Sequence, residues 1–384
     1  MASSSSLACG VNGSTCSVCS LSQECRGGLC LLPFGNSGGG GGSATGGGGG
    51  GGAIGGGGGG SIGGGGGSTG GGGGSTTGGG GGTTGGGGGA TGGGGGATGG
   101  GGGLDGGLPV TVACWNLEWF GDVMEADGGY LGPYDNALQA TNVTTVLRNK
   151  PEVDIWGIEE IVGTSNFAAV VANLPGFAAV VATDVPGGTF YYSSIEQKVA
   201  VLYRTSKVTV LSSQLILTSS SYNFGGRPPL EVRLRVAGNN VTRDLYVIVL
   251  HMKAYGDIDS YNRRAAASVA LKAWLDGNRA SDNVMVIGDW NDDVDVSIAS
   301  PNPSPYGNFV ADNTHFRFGT KELSDANRRT TASSSAAIDH QLFNAGLFSS
   351  YVVGSASASM PAGIPSYVAT TSDHYPVTTR YVFR

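Results

Sequence analysis

The stretch VTVACWNLEWF, residues 110–120, decides the fold. Its first half, Val110–Trp115, has the period-two side-chain pattern of a β-strand. Cys114 shares that alternation with Val110 and Val112 and is predicted to be a buried thiol. The polar residue Asn116 follows directly where the strand is expected to end. Polar side chains in that position are typical of functional sites in α/β proteins, which form at strand ends.

The same arrangement, an apolar strand followed by polar side chains, recurs further along the chain. The segments are Ile158-Glu159-Glu160-Ile161, Leu250-His251-Met252-Lys253, Ile287-Gly288-Asp289-Trp290-Asn291-Asp292, Ile338-Asp339-His340 and Ser372-Asp373-His374-Tyr375-Pro376. Three of the four histidines of the chain belong to this set. Carboxylates, amide oxygens and neutral imidazoles are what a hard divalent cation and a proton-transfer pair need.

Between these motifs, hydrophobic periodicity predicts helices and further strands. The helices are Asp135–Lys150 with an Asp cap, Ser165–Leu174 with a Ser cap, and Ser260–Asp276. The strands are Asp154–Glu159, Lys198–Tyr203, Val208–Leu217, Leu230–Val236, Leu245–His251, Val284–Ile287, Ile338–Phe343 and Val377–Phe383. Hairpin-like runs interspersed with βαβ units predict a mixed α/β sandwich rather than a purely parallel sheet.

These motifs, in this order and spacing, resemble those of the endonuclease/exonuclease/phosphatase superfamily, to which deoxyribonuclease I belongs. The resemblance covers residues 108–384, and the WNLEWF opening is similar to that of secreted bacterial members. It implies a four-layered α/β sandwich of two mixed β-sheets flanked by helices.

The resemblance also implies site residues. Asn116, Glu160 and Asp373 sit where the family binds its metal, which implies Mg²⁺, with Mn²⁺ or Ca²⁺ as alternatives. The family usually has a Gln before the metal-binding Glu, whereas this chain has Glu159 there.

The implied catalytic residues lie in the other motifs. His374 would be the general base, held by Asp339, while Asp289 and Asn291 would orient the water and hold the phosphate. The remaining roles go to His251, which would contact the scissile phosphate and assist the leaving group, to Arg227, a phosphate contact, and to Glu196, a loosely assigned support for His251.

Several conspicuous side chains are predicted to have structural roles. His315 is predicted on a surface loop, and His340, which alternates with Asp339, on the opposite face of its strand. Asp292, Asp293 and Asp295 are interpreted as a solvated acidic loop, and Trp115, Trp119 and Trp156 as core. Arg263 and Arg264 form either a solvated helix face or a phosphate-steering pair.

Composition divides the chain into three parts: a Cys-rich segment over residues 1–37, a glycine-rich linker or repeat over 38–107, and the globular domain over 108–384. Of 75 glycines, 48 lie between Gly38 and Gly103. The formal net charge of −7 excludes a strongly basic, non-specific nucleic-acid coat protein. The sequence contains no run of about 18 apolar residues, so no membrane span is predicted.

The Cys-rich segment holds Cys9, Cys16, Cys19, Cys25 and Cys30. It is too short for a core of its own, and disulfides are favoured over zinc because no histidine lies nearby. Ser6-Leu7-Ala8-Cys9 loosely resembles the end of a lipoprotein signal, although no complete signal peptide is seen.

The glycine tract is predicted to be a flexible linker whose ends lie on the order of 40–50 Å apart. The alternative is that several chains pack their tracts as polyglycine helices and self-associate.

Together these features predict a secreted or cell-surface, metal-dependent phosphodiesterase, most simply a nuclease with DNA or RNA as substrate. Phospholipid or other phosphoester hydrolysis on the same scaffold is the first alternative. The second is a structural surface or matrix protein that assembles through its polyglycine tract.

Overall fold

The computed structural model describes residues 106–122 and 132–384, and also the backbone of four short strand segments near the N-terminus. Among these segments Ala8–Cys9 pairs with Ser17–Val18, and Glu24–Arg26 pairs with Leu29–Leu31, both antiparallel. The predictions about cysteine cross-links and about the glycine tract concern side chains and residues outside this described part.

The domain contains twelve strands in its described residues. In chain order they are β1 (Leu108–Phe120), β2 (Ile155–Ile161), β3 (Phe177–Val181), β4 (Lys198–Arg204), β5 (Val208–Leu215), β6 (Leu230–Gly238), β7 (Val241–His251), β8 (Val284–Asp289), β9 (Phe316–Phe318), β10 (Asp339–Asn344), β11 (Ser357–Ala358) and β12 (Val377–Phe383). They form two six-stranded sheets, with orders β11-β12-β1-β2-β4-β3 (the first sheet) and β9-β10-β8-β7-β6-β5 (the second sheet). Each sheet contains one parallel pair, β1 with β2 and β7 with β8, among antiparallel neighbours.

The helices lie between these strands in the chain. They are α1 (Asn136–Arg148), α2 (Thr164–Ala172), α3 (Gly188–Tyr191), α4 (Ile258–Asn278), α5 (Gly307–Ala311), α6 (Lys321–Asp325) and α7 (Tyr367–Thr370), with 3₁₀ turns at Ala182–Asp184, Thr218–Phe224 and Ala345–Leu347. Asp135 caps α1 as predicted, since its side chain accepts hydrogen bonds from the N–H groups of Ala137 and Leu138. None of the helices in the described residues is long and apolar enough to cross a membrane.

Three hydrophobic clusters define the layers. Between the sheets, Val112 and Val201 of the first sheet belong to one core with Val247 and Ile287 of the second. The outer face of the first sheet packs on α1 and α2, and that of the second sheet packs on α4. This arrangement is the predicted four-layered sandwich of two mixed sheets flanked by helices.

Two local predictions need correction. The Ser cap on the second helix is wrong: α2 begins at Thr164, and Gly163 occupies the cap position without a side-chain hydrogen bond. A Cβ at position 163 would lie 2.6 Å from the carbonyl oxygen of Gly121, so the chain enters the helix where only glycine fits. Strand β3 was not predicted because its sequence, FAAVV, is short, lacks alternation and is half-buried along its whole length.

The loop after β8 also differs from its prediction. Asp292 and Asp293 are buried, so they do not form a solvated acidic loop. Arg264 is buried as well and contacts Asp292 at 2.9 Å, while its other donors reach the carbonyl oxygens of Lys253 and Tyr255. Arg264 is therefore neither on a solvated helix face nor free to steer phosphate. It ties α4 to the loops that follow β7 and β8.

We expect Asp292→Ala to lower the free energy of unfolding by about 3–5 kcal/mol, because it leaves the Arg264 guanidinium buried without its counter-ion. Urea unfolding of the full chain measures this. Asp325→Ala removes an exposed partner of Lys321 and should change stability by less than about 1 kcal/mol. Equal effects of the two substitutions would contradict a structural role for the buried pair.

Candidate active site

Strand register brings together three of the predicted residues in the second sheet. His251 at the end of β7 is the parallel partner of Asp289 at the end of β8, and Asp289 is the antiparallel partner of Asp339 at the start of β10. Directly paired residues on neighbouring strands point their side chains to the same face. The apolar strands thus place an imidazole and two carboxylates side by side at one edge of the sheet.

The first sheet contributes Asn116 and Glu160 through irregular strand ends. The β1–β2 register shifts between Asn116 and Phe120, and Glu160 has a φ of 62°, in the left-handed region. Such a bulge re-aims a side chain, and a strained backbone of this kind is common at functional sites. Glu160 accepts hydrogen bonds from the Asn116 amide at 2.9 Å and from the N–H of Trp119 at 2.8 Å.

The two sheets meet in a cluster around Asp289. The Asn116 amide also donates to Asp289 Oδ2 at 3.0 Å, and His251 Nε2 lies 3.6 Å from Glu160 Oε1 and 3.5 Å from Asp289 Oδ2. Asn116 Oδ1 accepts the N–H of Glu118. The amide nitrogen of Asn116 therefore faces the carboxylates, and in this geometry the side chain positions Glu160 and Asp289.

His374 and Asp339 form a second buried pair. His374 Nδ1 lies 3.0 Å from both Asp339 oxygens, and Asp339 also accepts a hydrogen bond from the Thr330 hydroxyl at 2.6 Å. The other imidazole nitrogen, Nε2, lies 3.9 Å from Asp289 Oδ2. A carboxylate held by a third residue thus fixes the tautomer of an imidazole whose free nitrogen faces Asp289.

The electrostatic surroundings separate the two histidines. Burial, which opposes charge, is outweighed at His374 by Asp339 and Asp289, which raise the pKa of His374 well above its usual range. Burial and the positive charge of Arg227 lower the pKa of His251 well below its usual range, so that imidazole is neutral. Burial, together with the charge of Asp339, raises the pKa of Asp289 to about 7.

Arg227 and Asn291 line the neighbouring side, where both donate to the Met252 carbonyl oxygen. Arg227 also donates to Gln197 and lies 3.7 Å from the Glu196 carboxylate. We expected Glu196 to support His251, but its carboxylate lies beside Arg227 instead. Glu196 and Gln197 lie in the turn that precedes β4, so the chain spacing alone did not settle which side chain Glu196 approaches.

Asp373 lies beside His374, with its Oδ1 3.8 Å from His374 Nε2, and it is outside the two trios of potential ligands found among the described residues. Those trios are Glu160 with His251 and Asp289, and Asp289 with Asp339 and His374. The Asp373 N–H donates to the Glu118 carboxylate at 2.8 Å. Burial, with the nearby charge of Asp373, raises the pKa of Glu118 to about 7.

Glu118 was not singled out from the sequence. The signal that could have found it is its place two residues after Asn116, because period-two alternation puts both residues on one face of a strand. The left-handed backbone at Glu118 and Trp119 breaks that alternation, so the position is only clear in three dimensions.

Glu159 stands where the family usually has a glutamine. Its carboxyl is fully buried between the sheets, near Gly157 and Gly288. Burial and the charges of Asp339 and Asp289 raise its pKa well above the usual range. Burial therefore favours the neutral carboxyl at this position.

The remaining structural predictions fall into two groups. His340 is buried with Nδ1 beside the Thr320 hydroxyl, His315 is exposed and paired with Asp312, and Cys114 is a buried free thiol, all as predicted. Trp115 and Trp156 are core residues, whereas Trp119 is only half-buried.

The donor set suits a hard cation. Each trio brings its ligand atoms within 4.8 Å of one another, and the carboxylates of Glu160, Asp289, Glu118 and Asp373 crowd together with raised pKa values at three of them. Crowded carboxylates repel one another, and a bound divalent cation relieves that repulsion.

The sequence profile of the Endonuclease/Exonuclease/phosphatase family matches residues 113–374, and the chain belongs to this family. Members of the family are phosphoesterases that use divalent metal ions. At this level the chain is therefore a phosphoester hydrolase with a metal-binding type of site. No curated protein matches the sequence.

Solved structures support the fold. The chain is similar to D. rerio TDP2 complexed with single strand DNA product, at 13% identity and a TM-score of 0.51, over 71% of this chain and 98% of that one. It is also similar to an endonuclease/exonuclease/phosphatase from Bacteroides vulgatus, at 14% identity and a TM-score of 0.50, over 72% of this chain and 100% of that one. Identities this low establish shared architecture only.

Proposed function

We propose that this protein is a Mg²⁺-dependent phosphodiesterase, and specifically a nuclease that cleaves extracellular DNA or RNA. The observation that carries the proposal is the buried Asp339–His374 pair, whose free imidazole nitrogen faces the carboxylate cluster around Asp289. Hydrolysis of a phosphodiester needs an activated water, neutralised charge and a stabilised leaving group. The site has residues suited to each requirement.

In this proposal His374 is the general base, and a bound cation would offset the carboxylate charges that raise its pKa, which would leave its Nε2 free to accept a proton. Its Nε2 takes a proton from the attacking water, while Asp339 keeps the proton on Nδ1 and stabilises the imidazolium that forms. Asp289 lies 3.9 Å from the same nitrogen and would orient the water together with Asn291, whose N–H donates to Asp289 at 2.9 Å.

The other side of the site would hold the phosphate. Arg227 and the Asn291 amide would contact its oxygens, at the cost of their present hydrogen bonds to the Met252 carbonyl. His251 is neutral and buried, and as a hydrogen-bond donor it would contact the scissile phosphate and stabilise the charge that develops on the leaving oxygen.

Glu160 and Asp373 would hold the metal, with Glu118 as an added carboxylate and Asn116 positioning Glu160. The bound cation would neutralise charge on the phosphate. Oxygen donors favour Mg²⁺, with Mn²⁺ or Ca²⁺ as alternatives, over softer metals.

A substrate panel tests the proposal. The full chain is incubated with plasmid DNA, RNA, phospholipid vesicles and bis(p-nitrophenyl) phosphate, each with and without EDTA. Cleavage of plasmid or RNA supports the nuclease. Cleavage of phospholipid alone would replace it with the alternative hydrolase, and no cleavage of any substrate would leave the structural alternative.

We also propose that the protein acts outside the cell or at its surface and that residues 1–107 govern where it resides. The support is compositional: a cysteine-dense segment, typical of oxidising compartments, is joined to the domain by a glycine tract. Every proposed catalytic residue follows Leu108.

A chain that begins at Leu108 should therefore fold and keep nearly full specific activity on a soluble substrate. Glycine has no side chain with which to contact the domain, so the loss of the tract should leave the catalytic constants almost unchanged. Steady-state kinetics of the short and full chains measure this, with circular dichroism as the fold control. A folded but inactive short chain would contradict the assignment.

A further inference from the structure

A cluster of two exposed tyrosines and two half-buried cationic side chains lies beside the active site and takes no part in the proposed chemistry. Its members are Tyr222, Lys253, Tyr255 and Arg263, which we call the Tyr255 patch. Lys253 Nζ lies 4.4 Å from the centre of the Tyr255 ring, and the Arg263 guanidinium lies 4.1 Å from that of Tyr222. The two tyrosines are 68% and 41% exposed, respectively, which is unusual for such large rings.

The backbone holds Tyr255 in a costly conformation. Its φ is 81°, a region that bulky residues rarely occupy and that costs about 1–3 kcal/mol. The buried Arg264 guanidinium donates to the carbonyl oxygens of both Lys253 and Tyr255 at 2.7 Å. These two hydrogen bonds from a buried arginine fix the backbone of the loop. The exposed Tyr255 ring is therefore held in one position.

Positive charge converges on this patch although the whole chain is acidic. Burial, followed by the charges of Arg263 and Arg227, lowers the pKa of Lys253 to about 8. Arg263 donates to the Tyr222 carbonyl oxygen, which fixes the guanidinium over the ring. Two cations thus flank two aromatic faces.

The patch is continuous with the active site. Lys253 directly follows Met252, whose carbonyl oxygen accepts hydrogen bonds from Arg227 and Asn291. Tyr222 lies five residues before Arg227 in the same connection between β5 and β6. Tyr255 follows Met252 by three residues in the chain. A polymer whose scissile phosphate contacted Arg227 would therefore also reach the Tyr255 ring.

We propose that the Tyr255 patch is a binding subsite for an unpaired nucleotide next to the scissile phosphate, so that single-stranded nucleic acid is the preferred substrate class. Tyr255 stacks on the base, Lys253 and Arg263 contact the flanking phosphates, and Tyr222 positions Arg263. Aromatic rings interleaved with cations are the usual means of binding single strands, because every base has a face on which to stack. The inference rests on the proposed nuclease function and names its substrate class.

Binding of a fluorescein-labelled (dT)₁₂ oligonucleotide to the full chain in EDTA tests the subsite without requiring hydrolysis. Fluorescence anisotropy should show about 5- to 150-fold weaker binding for Tyr255→Ala, the range for loss of one base stack, and near wild-type binding for Tyr255→Phe, which keeps the ring. An unlabelled duplex of the same length should compete poorly.

Salt dependence tests the cations. Arg263→Ala should reduce the slope of log K against log salt by about 0.7, the value for one phosphate contact on a single strand. Arg243→Ala is the matched control, since Arg243 is exposed on β7 about 27 Å along the strand from His251, and the slope should stay unchanged.

The inference is overturned if Tyr255→Ala binds the oligonucleotide as the wild type does, if the full chain does not bind it, or if the duplex binds equally well. It is also overturned if Tyr255→Ala weakens binding to phosphatidylglycerol vesicles but not to the oligonucleotide. Hydrolysis of bis(p-nitrophenyl) phosphate by the wild type is scored separately. Hydrolysis without oligonucleotide binding refutes the subsite alone, and binding without any hydrolysis refutes the catalytic proposal alone.

Discussion

Replacing His374 with alanine should lower the rate of phosphodiester hydrolysis by at least about a hundredfold, the usual scale for losing a general base. The variant keeps the carboxylate cluster and Arg227, so substrate can still bind, but no group remains to take the proton from water. Measurement of kcat on bis(p-nitrophenyl) phosphate, or on the best substrate of the panel, checks this, and circular dichroism checks the fold. Asp289→Ala should cause a loss of similar size.

Two histidine variants serve as controls. His315→Ala removes an exposed imidazole on the surface and should leave kcat unchanged. His340→Ala removes a buried imidazole next to Asp339 in sequence, but its Nδ1 contacts Thr320 rather than the site, so the folded variant should also keep its activity. If His340→Ala matched His374→Ala, the assignment of the catalytic histidine to the face shared with Asp289 would be wrong.

Strand-end motifs made much of the site predictable from sequence. An apolar strand followed by a polar residue fixes which side chains reach the edge of a sheet, and His251, Asp289 and Asp339 then become neighbours through register alone. The resemblance in motif order supplied the pairing of His374 with Asp339, and the distance of 3.0 Å agrees with it. Their chemical roles remain predictions.

What could not be predicted depends on contacts between distant segments. Arg264 and Asp292 look like surface charges in sequence, and only the packing of α4 against the loop after β8 buries them as a pair. Glu118 escaped notice because a bulge interrupts the alternation that would reveal it. The exposed ring of Tyr255 depends on a left-handed backbone that no local pattern signals.

The roles of Glu118 and Asp373 bear on the metal. The Glu118 carboxylate accepts the Asp373 N–H, and burial, followed by the charges of Asp373 and Glu160, raises the pKa of Glu118 to about 7. The pKa of Asp289, raised chiefly by burial, is raised further by Glu160, so carboxylates from both sheets interact. Such a site is unfavourable without a cation, since each buried carboxylate raises the proton affinity of its neighbours.

EDTA should abolish hydrolysis, and Mg²⁺ or Mn²⁺ should restore it, because the proposed ligands are hard oxygen donors. The rate measured across a metal titration checks this, and undiminished turnover in excess EDTA would refute a metal-dependent mechanism for this chain. Zn²⁺ should restore activity less well, since the proposed ligands Glu160, Asp373 and Glu118 offer only carboxylate oxygens.

The same carboxylate crowding predicts a result that does not depend on catalysis. Mg²⁺ that binds only the folded chain should raise the melting temperature, with about 2.7 kcal/mol of stabilisation at a hundred times its dissociation constant. Glu160→Gln removes the charge and can keep only one of the two hydrogen bonds from Asn116 and Trp119, because an amide has a single acceptor oxygen, so it should gain less from Mg²⁺ than the wild type does. Glu152→Gln, an exposed position, should respond to Mg²⁺ as the wild type does. An unchanged Mg²⁺ response in Glu160→Gln would place the metal elsewhere, because a cation held by Glu160 cannot be indifferent to that charge.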